Sequence, residues 1–292
     1  MRPNRFHQLL REGRPTFGTQ LFTMWPTIVE VVGHTGNFDY IEFSGEYAPY
    51  DLNQLENWVR ATELHGLSSM IKLDQEPRVW LSERAIGAGF QSVLFADIRT
   101  PDEVRAAVKA VRADAPGHGG IHGVADRRSA LMNHAGTQNY IDSLDDIVIG
   151  IMIEKAAAVE RLDEILAVPG IDMIQWGPAD YAMSIGRPGD WYGPEVQRVE
   201  RDVFERCIKA GVPPRAELNN PKDAARFLEM GVKDFCMGTD LYVIYDWMRD
   251  NGKALRTTVE AVYGASPAMG SSGNGAAMGA MADTAAARPP HA

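Results

Sequence analysis

The strongest constraint on the fold is an alternation that repeats eight times: a short apolar or β-branched run, then an amphipathic segment of about 10–15 residues. Such an alternation predicts repeated βα units and a parallel sheet. The runs predict strands at Phe17–Leu21, Tyr40–Phe43, Ser69–Lys72, Ser92–Phe95, Ile147–Ile153, Met173–Trp176, Pro213–Glu217 and Asp234–Gly238. The amphipathic segments predict helices near Pro26–Gly33, Asp51–His65, Pro77–Ala88, Pro101–Arg112, Lys155–Ala167, Pro194–Ala210, Pro221–Met230 and Leu241–Asn251.

Proline and glycine mark the boundaries of these units. Pro101 and Pro221 open two helices, where a missing N–H is tolerated. Glycines such as Gly66 and Gly89 stand between a helix and the next strand, where a left-handed cap is common. Eight units in roughly 240 residues match the size of a (β/α)₈ barrel. We therefore predict an α/β TIM barrel that forms a single domain over residues 1–263.

Two segments depart from this pattern. The connection from Ala113 to Asp146 is long and rich in Gly, His and Asp, so we expect it to cover the site or to reach a neighbouring subunit. Residues 264–292 consist largely of Ala, Gly, Ser, Met and Pro. They hold too little bulky apolar surface to offset the entropy of ordering, which predicts a disordered tail.

Composition excludes several classes of function. The net charge of −10 argues against a nucleic-acid or anionic-membrane partner, because both require basic patches. Cys207 and Cys236 form neither a disulfide framework nor a zinc motif, and they suit a reducing compartment. The N-terminus has no signal-peptide core, and no run reaches the roughly 20 apolar residues of a membrane span. A soluble, cytoplasmic protein is the expectation.

Two acidic residues each follow an apolar run: Glu154 after Ile149–Ile153 and Asp180 shortly after Ile174–Trp176. Residues just past the carboxyl ends of barrel strands converge on one face, so both carboxylates are candidate ligands of one divalent metal. Each has an alternative role. Asp180 could cap a helix, and Glu154 could be a first-turn acid that the helix dipole favours. The turn Gly177-Pro178-Ala179-Asp180 could also present backbone N–H groups to a carboxylate.

These motifs carry a family resemblance. Glu154 with the helix after it, Leu162–Leu166, Pro169–Asp172 and Gly177–Asp180 resemble the metal-binding half of the HpcH/HpaI aldolase/citrate lyase family, in the phosphoenolpyruvate/pyruvate barrel superfamily. The similarity extends from about Phe17 to Tyr245 and includes Phe38–Glu42, Gly45–Pro49 and Gly231–Asp240.

The resemblance implies a metal-dependent activity. Glu154 and Asp180 would hold Mg²⁺, Mn²⁺ or Co²⁺, and the turn from Gly177, with the amides of Ala179 and Asp180, would contact the carboxylate of a 2-oxo acid. A chelating metal acidifies the protons next to the oxo group and stabilises the resulting enolate. Retro-aldol cleavage to pyruvate and an aldehyde, without a lysine Schiff base, is the activity the family implies.

Three positions depart from the family pattern. Tyr47 stands where the aldolases usually have a catalytic His, Lys72 where they have an Arg, and Met152 where they have a substrate-binding Gln. A phenol with a pKa near about 10 is a poor base, so Tyr47 is expected to orient the substrate or assist proton transfer, or only to pack. Lys72 is expected to face the enolate oxygen as a point charge. A Schiff base at Lys72 is disfavoured, because neighbouring acids raise a lysine pKa.

Other candidates lie further along the chain. His122 falls where family members often have Arg, and it could bind a distal carboxylate when protonated. Arg127 and Arg128 are alternatives for that role, although either could be a surface residue. The aromatic residues near the metal-binding turn could shape an aldehyde pocket or pack in the core; they are Trp176, Tyr181, Trp191 and Tyr192.

The sequence thus predicts a metal-dependent carbon–carbon lyase that acts on 4-hydroxy-2-oxo acids, with a pyruvate-like 2-oxo acid and an aldehyde as its small-molecule partners. An oxo-acid decarboxylase, a citrate-synthase-like condensing enzyme and a non-catalytic oxo-acid-binding protein are the alternatives. Family members commonly form hexamers that exchange the last helix. The apolar stretch Leu241–Met248 fits such a helix, which predicts a trimer or hexamer, although it could equally pack on its own barrel.

Overall fold

The computed structural model describes residues 1–125 and 127–264 and contains a closed barrel of eight parallel strands. Each strand pairs with its neighbours in chain order, and the first strand closes on the last. The strands are β1 (Thr16–Leu21), β2 (Tyr40–Ser44), β3 (Ser68–Leu73), β4 (Ser92–Phe95), β5 (Val148–Ile153), β6 (Met173–Trp176), β7 (Pro214–Leu218) and β8 (Asp234–Thr239). The predicted (β/α)₈ barrel is confirmed.

Helices surround the barrel. They are α1 (Arg5–Arg11), α2 (Pro26–Thr35), α3 (Leu52–Leu64), α4 (Arg78–Ala88), α5 (Pro101–Val111), α6 (Arg127–Leu131), α7 (Gln138–Asp145), α8 (Ala156–Glu160), α9 (Leu162–Leu166), α10 (Pro178–Ser184), α11 (Pro194–Ala210), α12 (Ala224–Glu229) and α13 (Asp240–Tyr263), with a 3₁₀ turn at Pro221–Asp223. The predicted helix at 155–167 is two short helices, α8 and α9, on either side of Arg161.

The strands agree with the predicted bounds to within one residue. Strands β2 to β6 are buried along their whole length, because barrel strands are covered by helices outside and by side chains inside. Their sequences therefore read as nearly continuous apolar runs. The main core lies between this barrel and the surrounding helices, around residues such as Trp58, Phe95 and Phe204.

The amino-terminal end of the barrel is closed by α1, which the sequence pattern did not reveal. Phe6 of α1 is fully buried and stacks on Tyr40 inside the barrel, with ring centroids 4.1 Å apart. The Asn4 side chain caps α1 and donates to the carbonyl oxygens of Gln91 and Asp146 at 2.7 and 2.8 Å. The interior above Phe6 is apolar and includes Met70, Leu94, Val148, Met152 and Met173.

The long connection between α5 and β5 lies at this same end. Helix α5 follows β4 and returns to the amino-terminal end, and Arg112 at its C-terminus donates to the carbonyl oxygens of Leu144 and Ile147 at 2.8 and 2.9 Å. The connection contains α6 and α7. Its described residues therefore lie away from the candidate site, which was predicted at the carboxyl ends of the strands, and contact with a neighbouring subunit stays a prediction.

The last helix, α13, is longer than predicted and is mostly exposed. It has 24 residues, of which only Asp240 is buried. Within 1–125 and 127–264, no helix is both long and apolar enough to cross a bilayer. The predicted tail at 264–292 lies outside the described residues except for residue 264.

Candidate active site

The two predicted metal ligands follow neighbouring strands. Met152 on β5 pairs with Gln175 on β6. Glu154 and Gly177 each lie two residues further along the chain, so they are opposite each other at the carboxyl ends of the two strands. Glu154 is 2% exposed, and its Oε1 accepts a hydrogen bond from the Asp97 N–H at 2.6 Å. A Cβ atom at Gly177 would lie 2.6 Å from Glu154 Oε2, so only a glycine leaves room for this carboxylate.

Asp180 lies in the first turn of α10, and Gly177 caps that helix. The first intrahelical bond runs from the Tyr181 N–H to the Gly177 carbonyl at 3.1 Å. The N–H groups of Ala179 and Asp180 precede this bond, so the helix itself supplies no acceptor for them. The turn can thus present amides and a carboxylate together, and its role in binding a substrate carboxylate stays a prediction.

Lys155 lies between two acids, an arrangement that the sequence did not predict. Its Nζ contacts Asp97 Oδ1 at 2.6 Å and also bonds to Asp180 Oδ1. Burial alone lowers the pKa of Lys155, but its hydrogen bonds to Asp180 and Asp97 outweigh that effect and raise the pKa. Lys155 is therefore a fixed positive charge beside one of the predicted metal ligands.

The pKa of Glu154 is raised to about 7. Burial is the main cause and the Asp180 carboxylate adds to it, whereas Lys72, the Asp97 N–H and Lys155 act in the opposite direction. Two neighbouring carboxylates with only oxygen donors fit a hard divalent cation such as Mg²⁺ or Mn²⁺, whose charge would favour the ionised form of both.

Lys72 and Tyr47 contact each other near Glu154. Lys72 is 1% exposed, and its Nζ lies 2.8 Å from Glu46 Oε2 and donates to Tyr47 Oη at 2.9 Å. Burial lowers the pKa of Lys72, but Glu154, Tyr47 and Glu46 more than reverse this and raise the pKa. Burial also raises the pKa of Tyr47. Both groups are therefore protonated at neutral pH and can donate hydrogen bonds, but neither can act as a base.

Of the remaining predicted residues, Met152 lies next to the turn, whereas His122 and Arg128 lie elsewhere in the structure. Met152 lies inside the barrel directly under the turn, where its Cε would be 3.2 Å from a Cβ at Gly177. His122 is not brought to this site; it is buried after α5, where its Nδ1 lies 3.1 Å from the Ala110 carbonyl oxygen. Arg128 bonds to Glu63, with Nη2 2.8 Å from Glu63 Oε2.

The aromatic residues near the turn pack in the core. Trp176 and Tyr181 are 3% and 6% exposed, and their ring centroids lie 4.8 Å apart. Both belong to the core between the barrel and the helices, and Trp191 packs against it. This packing favours the structural role for the group over an aldehyde pocket.

A buried polar network across the barrel was also missed. Arg215 Nη2 donates to Glu42 Oε2 at 2.5 Å, and its Nη1 donates to the Gln175 side-chain oxygen. Gln175 Nε2 donates to Glu217 Oε1 at 2.6 Å. The signal was available in β7, where Arg215 and Glu217 alternate with apolar residues and therefore both point inward.

Within the described residues, one group of three potential metal ligands lies close together: Glu42, Glu217 and Cys236, with ligand atoms within 4.8 Å of one another. The Arg215 guanidinium already supplies positive charge to Glu42 in this network. Burial raises the pKa of the Cys236 thiol to about 12, which disfavours the thiolate that a metal would require. This group is therefore a weaker candidate for a metal site than Glu154 and Asp180.

A family model described as HpcH/HpaI aldolase/citrate lyase matches residues 21–245. The chain belongs to this family. The match contains Glu154 and Asp180 as well as the positions Tyr47, Lys72 and Met152. The HpcH/HpaI resemblance inferred from the sequence is thereby confirmed.

Known proteins are similar to this one over most of the chain. A hydroxypyruvate/pyruvate aldolase from Sagittula stellata is 32% identical over 72% of this chain and 81% of its own length. A 5-keto-4-deoxy-D-glucarate aldolase from Shigella boydii is 29% identical over 82% of this chain and 92% of its own. A solved HpcH/HpaI family structure from Burkholderia cenocepacia is 26% identical and superposes with a TM-score of 0.78, covering 87% of this chain and 99% of that one. Membership and the relatives' names support an enzyme of the aldolase or carbon–carbon lyase class.

Proposed function

We propose that the protein is a divalent-metal-dependent aldolase that cleaves or forms 4-hydroxy-2-oxo acids through a pyruvate enolate. The observation that supports this most is the position of the Glu154 carboxylate over Gly177, which has no side chain, with Asp180 and the Lys72 ammonium both close enough to shift the pKa of Glu154. The names of the Sagittula and Shigella relatives, both aldolases, favour the same reaction class.

In this proposal Glu154 and Asp180 hold Mg²⁺, Mn²⁺ or Co²⁺. When bound, such a cation withdraws electrons from the substrate carboxylate and oxo group and acidifies the neighbouring C–H bonds. The turn from Gly177 to Asp180, including the Ala179 amide, receives the substrate carboxylate.

Lys72 supplies positive charge toward the enolate oxygen. Its contacts with Glu46 and Tyr47 hold the ammonium in place, so little reorganisation is needed as the enolate charge develops. Tyr47 is half-exposed and can donate its phenol proton as a hydrogen bond to the substrate. Met152 forms the apolar floor below the bound oxo acid.

The exchange of pyruvate methyl protons with D₂O, followed by NMR, tests this proposal without a choice of aldehyde. We expect exchange by the metal-loaded protein and a loss of at least about 100-fold after EDTA treatment or in Glu154→Ala. Glu164→Ala, which removes an exposed acid on α9, is the matched control and should exchange like the unmodified protein.

Three outcomes would contradict the proposal. Equal exchange with and without EDTA would remove the metal from the mechanism. The absence of exchange with every metal would exclude the pyruvate enolate. Turnover of oxaloacetate without cleavage of any hydroxy-oxo acid would favour the decarboxylase instead.

A further inference from the structure

The proposed reaction requires a group that accepts a proton near neutral pH. Tyr47 and Lys72 are both held in their protonated forms, and Glu154 is assigned to the metal. We propose that Glu217 is the proton-transfer group of this site and that it exchanges a proton with the substrate through a single water molecule. This assignment rests on the proposed aldolase function.

The register places Glu217 beside the proposed substrate position. Strands β6 and β7 pair Gln175 with Arg215, so Gly177 and Glu217 are at the same level, two residues further on. Glu154 is at that level on the other side of Gly177. Because Gly177 has no side chain, the Glu154 carboxylate, which follows β5, lies over it, and Glu217 on β7 is its neighbour on the other side.

Hydrogen bonds hold Glu217 in one orientation. Arg215 has only hydrogen-bond donors, so the side-chain oxygen of Gln175 must face it as the acceptor. The Nε2 of Gln175 therefore faces Glu217 and donates to its Oε1 at 2.6 Å. The other oxygen of Glu217, Oε2, is buried and has no hydrogen-bond partner among residues 1–125 and 127–264.

A small void adjoins Glu217 at the carboxyl end of the barrel. It measures about 10 Å³ and is lined by Gln20, Glu217 and Asn219, among others. This is about the size required for one water molecule, and the side chains of Gln20, Glu217 and Asn219 supply polar groups to its lining. A water there would contact Glu217 on the side of β8 and β1, at the end of the barrel where the substrate is proposed to bind. A water that bridges a carboxylate and a substrate can relay a proton between them.

The charges around Glu217 leave it without an ion-pair partner of its own. Arg215 on β7 pairs with Glu42 on β2 at 2.5 Å, so one guanidinium serves two carboxylates. Lys72 on β3 pairs with Glu46, Cys236 on β8 is neutral, and Gln20 and Gln175 carry no charge. Burial, reinforced by Glu42 and opposed by Arg215, raises the pKa of Glu217 to about 8. The carboxyl group can therefore gain and lose a proton at neutral pH.

The proton step balances within the substrate. Through the water, the Glu217 carboxylate takes the proton of the C4 hydroxyl while the C3–C4 bond breaks. The bonding electrons pass to the 2-oxo group as an enolate, and the aldehyde leaves. The same proton then returns to C3, which yields pyruvate and regenerates the carboxylate.

The decisive experiment compares Glu217→Gln with Asp234→Asn in the metal-loaded protein. Asp234 is also a mostly buried carboxylate of the barrel, but it bonds to Thr16 at the opposite end. We expect Glu217→Gln to lower pyruvate exchange about 100-fold or more and Asp234→Asn to retain it within about threefold. Circular dichroism and pyruvate binding by saturation-transfer NMR verify that each variant folds and binds.

The pH profile and chemical rescue distinguish proton transfer from a structural role. In the unmodified protein the exchange rate should rise with pH to a plateau above about 8, and Glu217→Gln should lose this dependence. Formate should restore exchange to Glu217→Ala, in which a small acid can enter the vacated space, and should not change Asp234→Asn.

The outcomes separate this inference from the proposed function. Exchange by both the unmodified protein and Glu217→Gln, within about threefold of each other, would overturn the role of Glu217 and leave the aldolase proposal intact. No exchange by the unmodified protein with any metal would overturn both. Loss in Glu217→Gln with restoration of Glu217→Ala by formate supports the assignment.

Discussion

At the scale of single residues, Lys155 determines how strongly the proposed metal is held. Its ammonium bonds to Asp180 Oδ1, so a cation that uses this oxygen must displace the ammonium toward Asp97. The built-in positive charge keeps the acids together before a metal arrives. It also opposes metal binding, because like charges repel over a short distance.

Replacing Lys155 by Met should therefore tighten metal binding. We expect the dissociation constant for Mn²⁺ to fall about tenfold, since one competing charge is removed while Asp97, Glu154 and Asp180 stay in place. Electron paramagnetic resonance of free Mn²⁺ measures this directly. Lys222→Met removes the same charge from an exposed position and should leave the constant unchanged. Weaker binding in Lys155→Met would show that Lys155 organises the metal site.

Asp234 should make stability depend on pH. Burial raises the pKa of this carboxyl to about 6, well above its ordinary value of 3.8. The folded state therefore binds the proton more tightly than the unfolded state, and the stabilisation present below the unfolded pKa is lost as pH rises through about 6.

In Asp234→Asn this loss should disappear. Between pH 4 and pH 7 the variant should gain roughly 2 kcal/mol in free energy of unfolding relative to the unmodified protein, as measured by urea titration. Asp142→Asn, at an exposed position on α7, should follow the unmodified protein at each pH. If the free energies of unfolding of Asp234→Asn and of the unmodified protein differed by the same amount at pH 4 and at pH 7, the titration assigned to Asp234 would be contradicted.

At the scale of elements, the turn between β6 and α10 positions the site. Gly177→Ala would place a Cβ 2.6 Å from the Cβ and Oε2 of Glu154. The Gly177 backbone angles, φ −116° and ψ 89°, are open to alanine, so the conflict is with the Glu154 side chain and not with the backbone. We expect Mn²⁺ affinity to fall at least about tenfold while the fold persists.

Gly252→Ala is the control for that prediction. Gly252 lies within α13, where an added Cβ would meet no atom within 4 Å. The Gly252→Ala substitution should leave the Mn²⁺ affinity unchanged and should stabilise the helix slightly. Equal affinity in Gly177→Ala and Gly252→Ala would show that Glu154 does not need the space over Gly177.

The elements themselves were largely predictable. Strands β2 to β6 read as buried, mostly apolar runs. Helix α11 was predicted at its observed bounds, because its amphipathic pattern begins at Pro194 and ends before Gly211. Helix α1 was missed because it buries only Phe6 and Leu9. The acidic pair and its turn could be proposed from strand-end positions, whereas the bond between Lys155 and Asp97 joins distant segments and has no local signal.

At the scale of the whole molecule, α13 presents an apolar surface that its own barrel does not cover. Trp247, Met248 and Leu255 are each more than half exposed, and Ile244 and Val259 nearly so. Exposed apolar area of this extent on one helix is typical of a protein–protein contact. We therefore expect a homo-oligomer, a trimer or hexamer, in which α13 packs against a neighbouring copy.

Charge placed on this surface should lower the oligomeric state. The double variant Ile244→Glu, Met248→Glu should sediment at a smaller mass than the unmodified protein, because each carboxylate would be desolvated in the contact. Lys253→Glu changes the charge in the same direction at a polar position of α13 and should keep the mass. A monomeric unmodified protein in analytical ultracentrifugation would contradict the expectation.

Helix α1 also has a consequence for the timing of proton exchange. Phe6 and the apolar residues above it close the amino-terminal end of the barrel, so within residues 1–125 and 127–264 the carboxyl end is the open approach to Glu42, Arg215 and Glu217. A substrate bound over Gly177, as proposed, would occupy that entrance. The protons shared by the network and the substrate would then stay with them until the product leaves, so each turnover would reflect the pH of the solution at the moment of binding.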